Sequence, residues 1–155
     1  MRRIMWIAGT VIVVSVLAWV LLMVLFSVTA RKPSDLGPTA ECRLRPCPGT
    51  PNCVCSFDEG ASAIEPLVFE QAPEQAWQRL QEVVAAQPRV RLITQSPGYL
   101  HYEFTSLIFR FVDDVEFLLD AEKKRIHVRS ASRAGRSDFG VNRARVEAIR
   151  AQWKQ

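Results

Sequence analysis

Between Lys123 and Arg150 the chain holds Lys123, Lys124, Arg125, Arg129, Arg133, Arg136, Arg143, Arg145 and Arg150 against only Asp138 and Glu147. Arginine forks beside serine hydroxyls and the free N–H groups of a helix start are what an anionic head group needs. Arg129, Ser132, Arg133, Ser137, Asn142 and Arg143 are the candidates for such a site. The same residues admit a structural reading. Arg129 then pairs with Glu116, Arg133 or Arg143 pairs with Asp113 or Asp114, and side-chain hydrogen bonds lock the loop between them. Nucleic acid is a poor partner for this patch, because no aromatic side chains interleave with the arginines.

Support for catalysis is thin. His101 and His127 are the two histidines, and an acid/base pair of His127 with Glu116 is conceivable if both lie on one hairpin face. There is no G-x-S-x-G elbow, no H-E-x-x-H and no P-loop. Asp113 and Asp114 are neighbours, so in a strand they point to opposite faces and do not act as a carboxylate pair. One of them must then face the apolar side, where a buried ion pair with an arginine is the ordinary solution.

The four cysteines, Cys42, Cys47, Cys53 and Cys55, have spacings that fit a zinc knuckle poorly. Disulfides fit better and point to an oxidising compartment. A Cys53–Cys55 bridge would close a strained ring. Cys47–Cys53 nested inside Cys42–Cys55 is the preferred pairing. No metal and no cofactor is expected.

These residues have to be positioned by a small number of elements. From Ile4 to Ala30 the chain has no charge, and about 25 such residues make a helix of roughly 37 Å, enough to cross a hydrocarbon core of about 30 Å. The apolar region of a cleaved signal peptide is shorter, about 7–15 residues, so an uncleaved anchor is expected. Arg2 and Arg3 before the span balance Arg31 and Lys32 after it, so the cysteines set the orientation: N-terminus in the cytoplasm, domain outside. Residues 33–60, rich in Pro and Cys, read as a semi-extended linker merging into a disulfide loop.

Beyond it, Ile64–Glu70 reads as a short strand and Pro73 opens a helix that Pro88 ends. Val90–Gln95 and Tyr99–Thr105 read as strands joined at Ser96-Pro97-Gly98. Residues 106–112 have no clear pattern. Val115–Asp120 and Arg125–Ala131 form the cleanest hairpin, with Asp120 facing Arg125, Leu119 facing Ile126, Phe117 facing Val128 and Glu116 facing Arg129. One of its faces is apolar and the other carries Asp114, Glu116, His127 and Arg129. A last helix is expected over Val141–Trp153. The fold class is α+β: an antiparallel sheet of about five strands with helices on one face, preceded by one transmembrane helix.

Two stretches carry a resemblance. Cys47-Pro48-Gly49-Thr50-Pro51-Asn52-Cys53-Val54 resembles a CPxSPNCV signature. Asp113-Asp114-Val115-Glu116-Phe117, with Arg129 to Arg143 and Arg145-Val146-Glu147, resembles DDVEF…RSASRxGxSDxGVNRxRVE. Together they resemble the uncharacterised family called domain of unknown function 1499, over roughly Gly37 to Trp153. The resemblance implies a small envelope or thylakoid-type domain with no established activity, so no catalytic residue is transferred. Thr50 in place of Ser, and the additional Cys42 and Cys55, depart from the pattern.

The expected organisation is an anchor (1–32), a Pro/Cys-rich linker and disulfide loop (33–60) and an α+β domain (61–155). The expected function is a membrane-anchored envelope module, single-pass in a bacterial inner membrane with its C-terminal domain in the periplasm. It would hold to the membrane through residues 4–30 and bind an anionic ligand, a lipid or a membrane-protein partner. The rival readings are an envelope hydrolase using His127 and Glu116 and a purely structural subunit of a membrane complex.

Overall fold

An uninterrupted apolar run with no Pro forms α1, Arg2–Thr29, in a computed structural model that describes residues 2–153. Over Arg3–Thr29 the mean hydropathy reaches 3.0 and almost none of the surface is covered by protein, so the helix is long and apolar enough to cross a membrane.

Eight further elements and one 3-10 turn, Gly60–Ser62, follow. β1 is Cys53–Cys55, β2 Leu67–Val68, α2 Pro73–Ala85, β3 Val90–Ser96, β4 Tyr99–Thr105, β5 Val112–Asp120, β6 Arg125–Ser132 and α3 Val141–Trp153. The strands form one antiparallel sheet in the order β1-β6-β5-β4-β3, with β2 also paired to β6. The β5–β6 hairpin has the register expected from its pattern, including Glu116 opposite Arg129 and Asp120 opposite Arg125. Between β3 and β4 the turn closes at Gly98, whose φ of +70° a side chain would strain and whose carbonyl accepts from Leu119 N. β1 was not expected, because three residues inside a Cys/Pro-rich run carry no readable alternation.

α2 starts with Pro73 at its first position and Glu74 in its first turn. It packs with α3 on the apolar face of the sheet, where Leu80, Val84, Phe117, Val128, Val146 and Ile149 form the centre of the core.

The opposite, charged face is covered as well. Leu44 and Cys55 pack with Tyr99 in a second buried cluster, against Cys47, Phe57 and Leu118. Gly37 N donates to Glu116 Oε1 at 2.8 Å, and Cys47 N to Asp58 Oδ2 at 3.1 Å. The Pro-rich segment therefore lies across the sheet as a strap and is not a free spacer.

Cys47 and Cys53 form a disulfide with Cα atoms 5.7 Å apart. The outer Cys42–Cys55 bridge of the nested pairing does not form: both are free thiols, Cys42 exposed and Cys55 buried. Cys42 sits in a tight turn at φ +54°, closed by Thr39 and Arg43 backbone bonds. The Cys55 thiol is enclosed in the second cluster, where it donates to Arg45 O and burial pushes its pKa up.

Candidate functional site

Period-two alternation sends Asp114 and Glu116 of β5 to the strapped face, together with Tyr99, His101 and Glu103 of β4 and Arg129 of β6. The register sets His101 beside Glu116 and Glu103 beside Asp114, with Ala131 and Arg129 on the other flank. Just past β6, Arg133 reaches back over this row. Its Nε and Nη2 donate to the two oxygens of Asp114 at 2.8 and 2.6 Å, and Nη2 also donates to Glu103. His101 Nε2 lies 2.7 Å from Asp114 Oδ1, and Arg91 Nη2 donates to Glu103 at 2.6 Å. Burial alone would raise Asp114 and Glu103, but their hydrogen bonds, from Arg133 and His101 and from Arg91 and Arg133 respectively, outweigh it and hold both below the usual carboxylate range. Hydrogen bonding to Asp114 in turn raises Arg133.

A second knot centres on Glu116. Oε1 accepts from Tyr99 Oη and from Gly37 N, both at 2.8 Å, and Oε2 accepts from Arg129 Nη1 at 3.1 Å. Burial, then the neighbouring Glu116 charge, pushes the Tyr99 phenol pKa far up. Arg129 Nε is buried and has no partner among the described residues. Arg129 and Arg133, with Ser132, Asn52 and Asp114, line a groove of about 550 Å³ whose rim includes Pro33, Asp35 and Arg45.

On the helix face, Asp113 meets Arg145 Nη2 at 2.5 Å, and that guanidinium lies 4.8 Å over the Phe104 ring. The adjacent aspartates are thus divided between the two faces. Beside them Asn142, fully buried, donates to Asn52 O and Ser132 Oγ and accepts from Ser130 Oγ and Arg145 Nη1. Asn52 Nδ2 donates to Gly135 O at 2.7 Å. The two signature stretches of the sequence interlock through this asparagine pair.

The six anion candidates therefore do not converge. Arg129, Ser132 and Arg133 share the groove, while Asn142 belongs to the buried staple. Ser137 Oγ accepts from Phe139 N, and Arg143 donates to the carbonyls of Ala61 and Ala63 at 2.8 Å. The start of α3 is occupied by the carboxylate of Asp138, which accepts from Gly140 N and Asn142 N. Arg129 and Arg133 meet Glu116 and Asp114 as the structural reading expects; Arg143 does not meet Asp113 or Asp114. Glu103, Tyr99, Arg91, Arg145 and Asn52 were missed. The alternation of Tyr99, His101 and Glu103 along β4 hinted at two of them, and Asn52 and Arg145 lie within the two signature stretches.

His127 and Glu116 have separate partners, and no acid/base pair forms between them. Ser56 Oγ accepts from Val128 N at 3.0 Å and lies 3.1 Å from His127 Nδ1. His127 Nε2 lies 4.0 Å from Asp120, and the ring stacks on Phe57 at 3.9 Å. Burial holds the His127 pKa below its usual range; Asp120 opposes this, and Arg125, Lys123 and Arg43 reinforce it. A histidine lowered on folding binds its proton more readily when unfolded. Its contribution is therefore complete above the unfolded pKa of about 6.5 and is lost as pH falls toward the folded value. We expect thermal melts between pH 7 and 5 to show a steeper loss for wild type than for His127→Gln; parallel curves would reject this.

No group of three or more His, Cys, Asp or Glu among the described residues is placed to hold a metal ion. A family model described as a protein of unknown function (DUF1499) matches residues 43–153. No curated protein and no solved structure matches the chain.

Proposed function

The chain belongs to the DUF1499 family, and from that premise we propose that it is a single-pass membrane module whose domain sits on the periplasmic side of a bacterial inner membrane and binds one anionic lipid head group, without catalysis. The apolar helix supports the anchor, and the Cys47–Cys53 disulfide supports the oxidising side. The observation that carries the binding reading is the unpartnered Arg129 Nε, buried in a residue that lines the groove with Arg133. A buried donor without an acceptor costs free energy that a phosphate oxygen would recover. Three arginines in the groove face Asp35 and Asp114, which suits one phosphodiester and disfavours a polyanion. The rim residues Pro33 and Asp35 follow soon after Thr29, the last residue of α1, which keeps the groove near the head groups. Against catalysis stand the engaged carboxylates: Asp114 and Glu116 each accept from three donors.

Native mass spectrometry of the full chain in mild detergent tests this reading. Wild type should carry one anionic phospholipid. Arg45, half exposed on the rim and held at 3.5 Å by Asp35, is separable from the buried network. Arg45→Ala should lower lipid occupancy roughly tenfold, the worth of one charge-assisted hydrogen bond, with an unchanged Tm. Wild type free of lipid would sink the binding reading and leave a structural subunit.

A further inference from the structure

The connection between β4 and β5 runs Ser106-Leu107-Ile108-Phe109-Arg110-Phe111, an apolar sequence for a hairpin tip. Leu107 and Ile108 are 68% and 62% exposed. A tip of this composition in water would be a liability, since loops are ordinarily polar. Its aromatic side chains are turned to α1. Phe109 meets the edge of Trp19 with ring centroids 5.4 Å apart, and Phe111 meets Phe26 at 6.5 Å. Phe109 and Phe111 lie 5.9 Å from each other, so the four rings form one continuous apolar surface.

Depth follows from helix geometry. Trp19 precedes Thr29 by ten positions, about 15 Å along a helix at 1.5 Å per residue. The apolar helix is roughly 37 Å long, about 7 Å more than a hydrocarbon core, so each end overhangs by about 4 Å. A side chain touching Trp19 then lies roughly 10 Å below the hydrocarbon boundary. The tip is built to tolerate that depth. Ser106 N donates to Phe111 O and Phe111 N to Ser106 Oγ, both at 2.8 Å, which closes the loop's base internally. Its single charge, Arg110, is exposed and has a stem long enough to carry the guanidinium toward the head groups.

We propose that the β4–β5 loop is a second membrane contact: an apolar wedge that enters the outer leaflet beside α1 and buries Leu107 and Ile108 among acyl chains. Acyl chains are the occupant because the loop continues the surface of a helix whose own neighbours at that level are lipid. This rests on the membrane anchoring proposed above. Two attachments, one spanning and one inserted, fix the tilt of the domain and hold its groove at one height over the head groups.

Site-directed spin labelling of the full chain tests the wedge, in nanodiscs of phosphatidylcholine and phosphatidylglycerol. Cys42→Ser removes the exposed thiol, and labels are attached at Ile108→Cys, Val14→Cys and Arg136→Cys in separate proteins. Oxygen concentrates in acyl chains and a water-soluble nickel chelate is excluded from them. Ile108 should relax with oxygen and not with nickel, as Val14 does, while Arg136 on its exposed loop should do the reverse. Ile108 behaving like Arg136 while Val14 remains in lipid overturns the wedge and leaves the anchor standing. Nickel access at Val14 overturns the anchor and the wedge with it. A label at Ile108 shielded from both reagents would mean that protein covers the loop, which also overturns the proposal.

Discussion

Alanine in place of Arg133 is expected to lower the stability of the domain by about 3–5 kcal/mol, the usual cost of breaking a buried ion pair by removing one partner. Arg133 and Asp114 have side chains only 9% and 2% exposed, so solvent screens the stranded charge little. For a domain of this size that loss corresponds to a fall in Tm of about 10–25 °C. Two carboxylates are affected at once: Asp114 keeps His101, and Glu103 keeps only Arg91, whose side chain is 73% exposed. Arg91→Ala should accordingly cost at most about 1 kcal/mol. Combining Arg133→Ala with Asp114→Asn should cost less than the sum of the two single changes, because the second removes the charge the first leaves unpaired. The sign with pH is fixed by the depressed carboxyls. Their contribution is complete above the ordinary carboxylate range near about 4 and disappears as pH falls through their lower folded values, so wild type and Arg133→Ala should converge only in strong acid. Arg129→Ala should likewise cost about 3–5 kcal/mol, because the Arg129 and Glu116 side chains are only 12% and 2% exposed, and exposed Arg136 should accept alanine with little change. If Arg133→Ala melts within a few degrees of wild type, the network does not hold the fold.

Asn142→Ala should be nearly as damaging, at about 3–4 kcal/mol. Asn142 is 0% exposed and donates both amide hydrogens, to Asn52 O and to Ser132 Oγ, at 3.0 and 2.9 Å. Its oxygen accepts from Ser130 Oγ, itself 0% exposed, at 2.5 Å. Each buried group left without a partner costs about 1–3 kcal/mol. Asn142→Asp separates donation from acceptance. It keeps the shape and the acceptor toward Ser130 and Arg145, and replaces the donating amide with an oxygen that faces the Asn52 carbonyl. It should therefore fall almost as far as alanine. Urea unfolding of the two variants decides it; an Asn142→Asp protein as stable as wild type would show that the staple does not depend on the donated bonds.

The elements that depend on local pattern were readable in advance. The anchor helix follows from an uncharged apolar run, α2 and α3 from apolar residues at helical spacing and from Pro73 at the start of one of them. The β5–β6 register follows from a four-residue turn and alternation of period two, which also divides Asp113 from Asp114. That much is fixed within about twenty residues of chain, where steric preference and periodicity act. What the alternation leaves open is whether the charged face meets water. Leu44, Cys55 and the strap from Gly37 to Asp58 close over the row of Asp114, Glu116, His127 and Arg129. The same closure decides the chemistry. Arg129 and Arg133 engage Glu116 and Asp114 while Arg143 turns to the carbonyls of Ala61 and Ala63, Asn142 becomes a staple to a residue 90 positions away, and Cys55 is sealed from Cys42. Contacts at such separation depend on which surfaces the whole chain brings together and buries, and no local spacing encodes that.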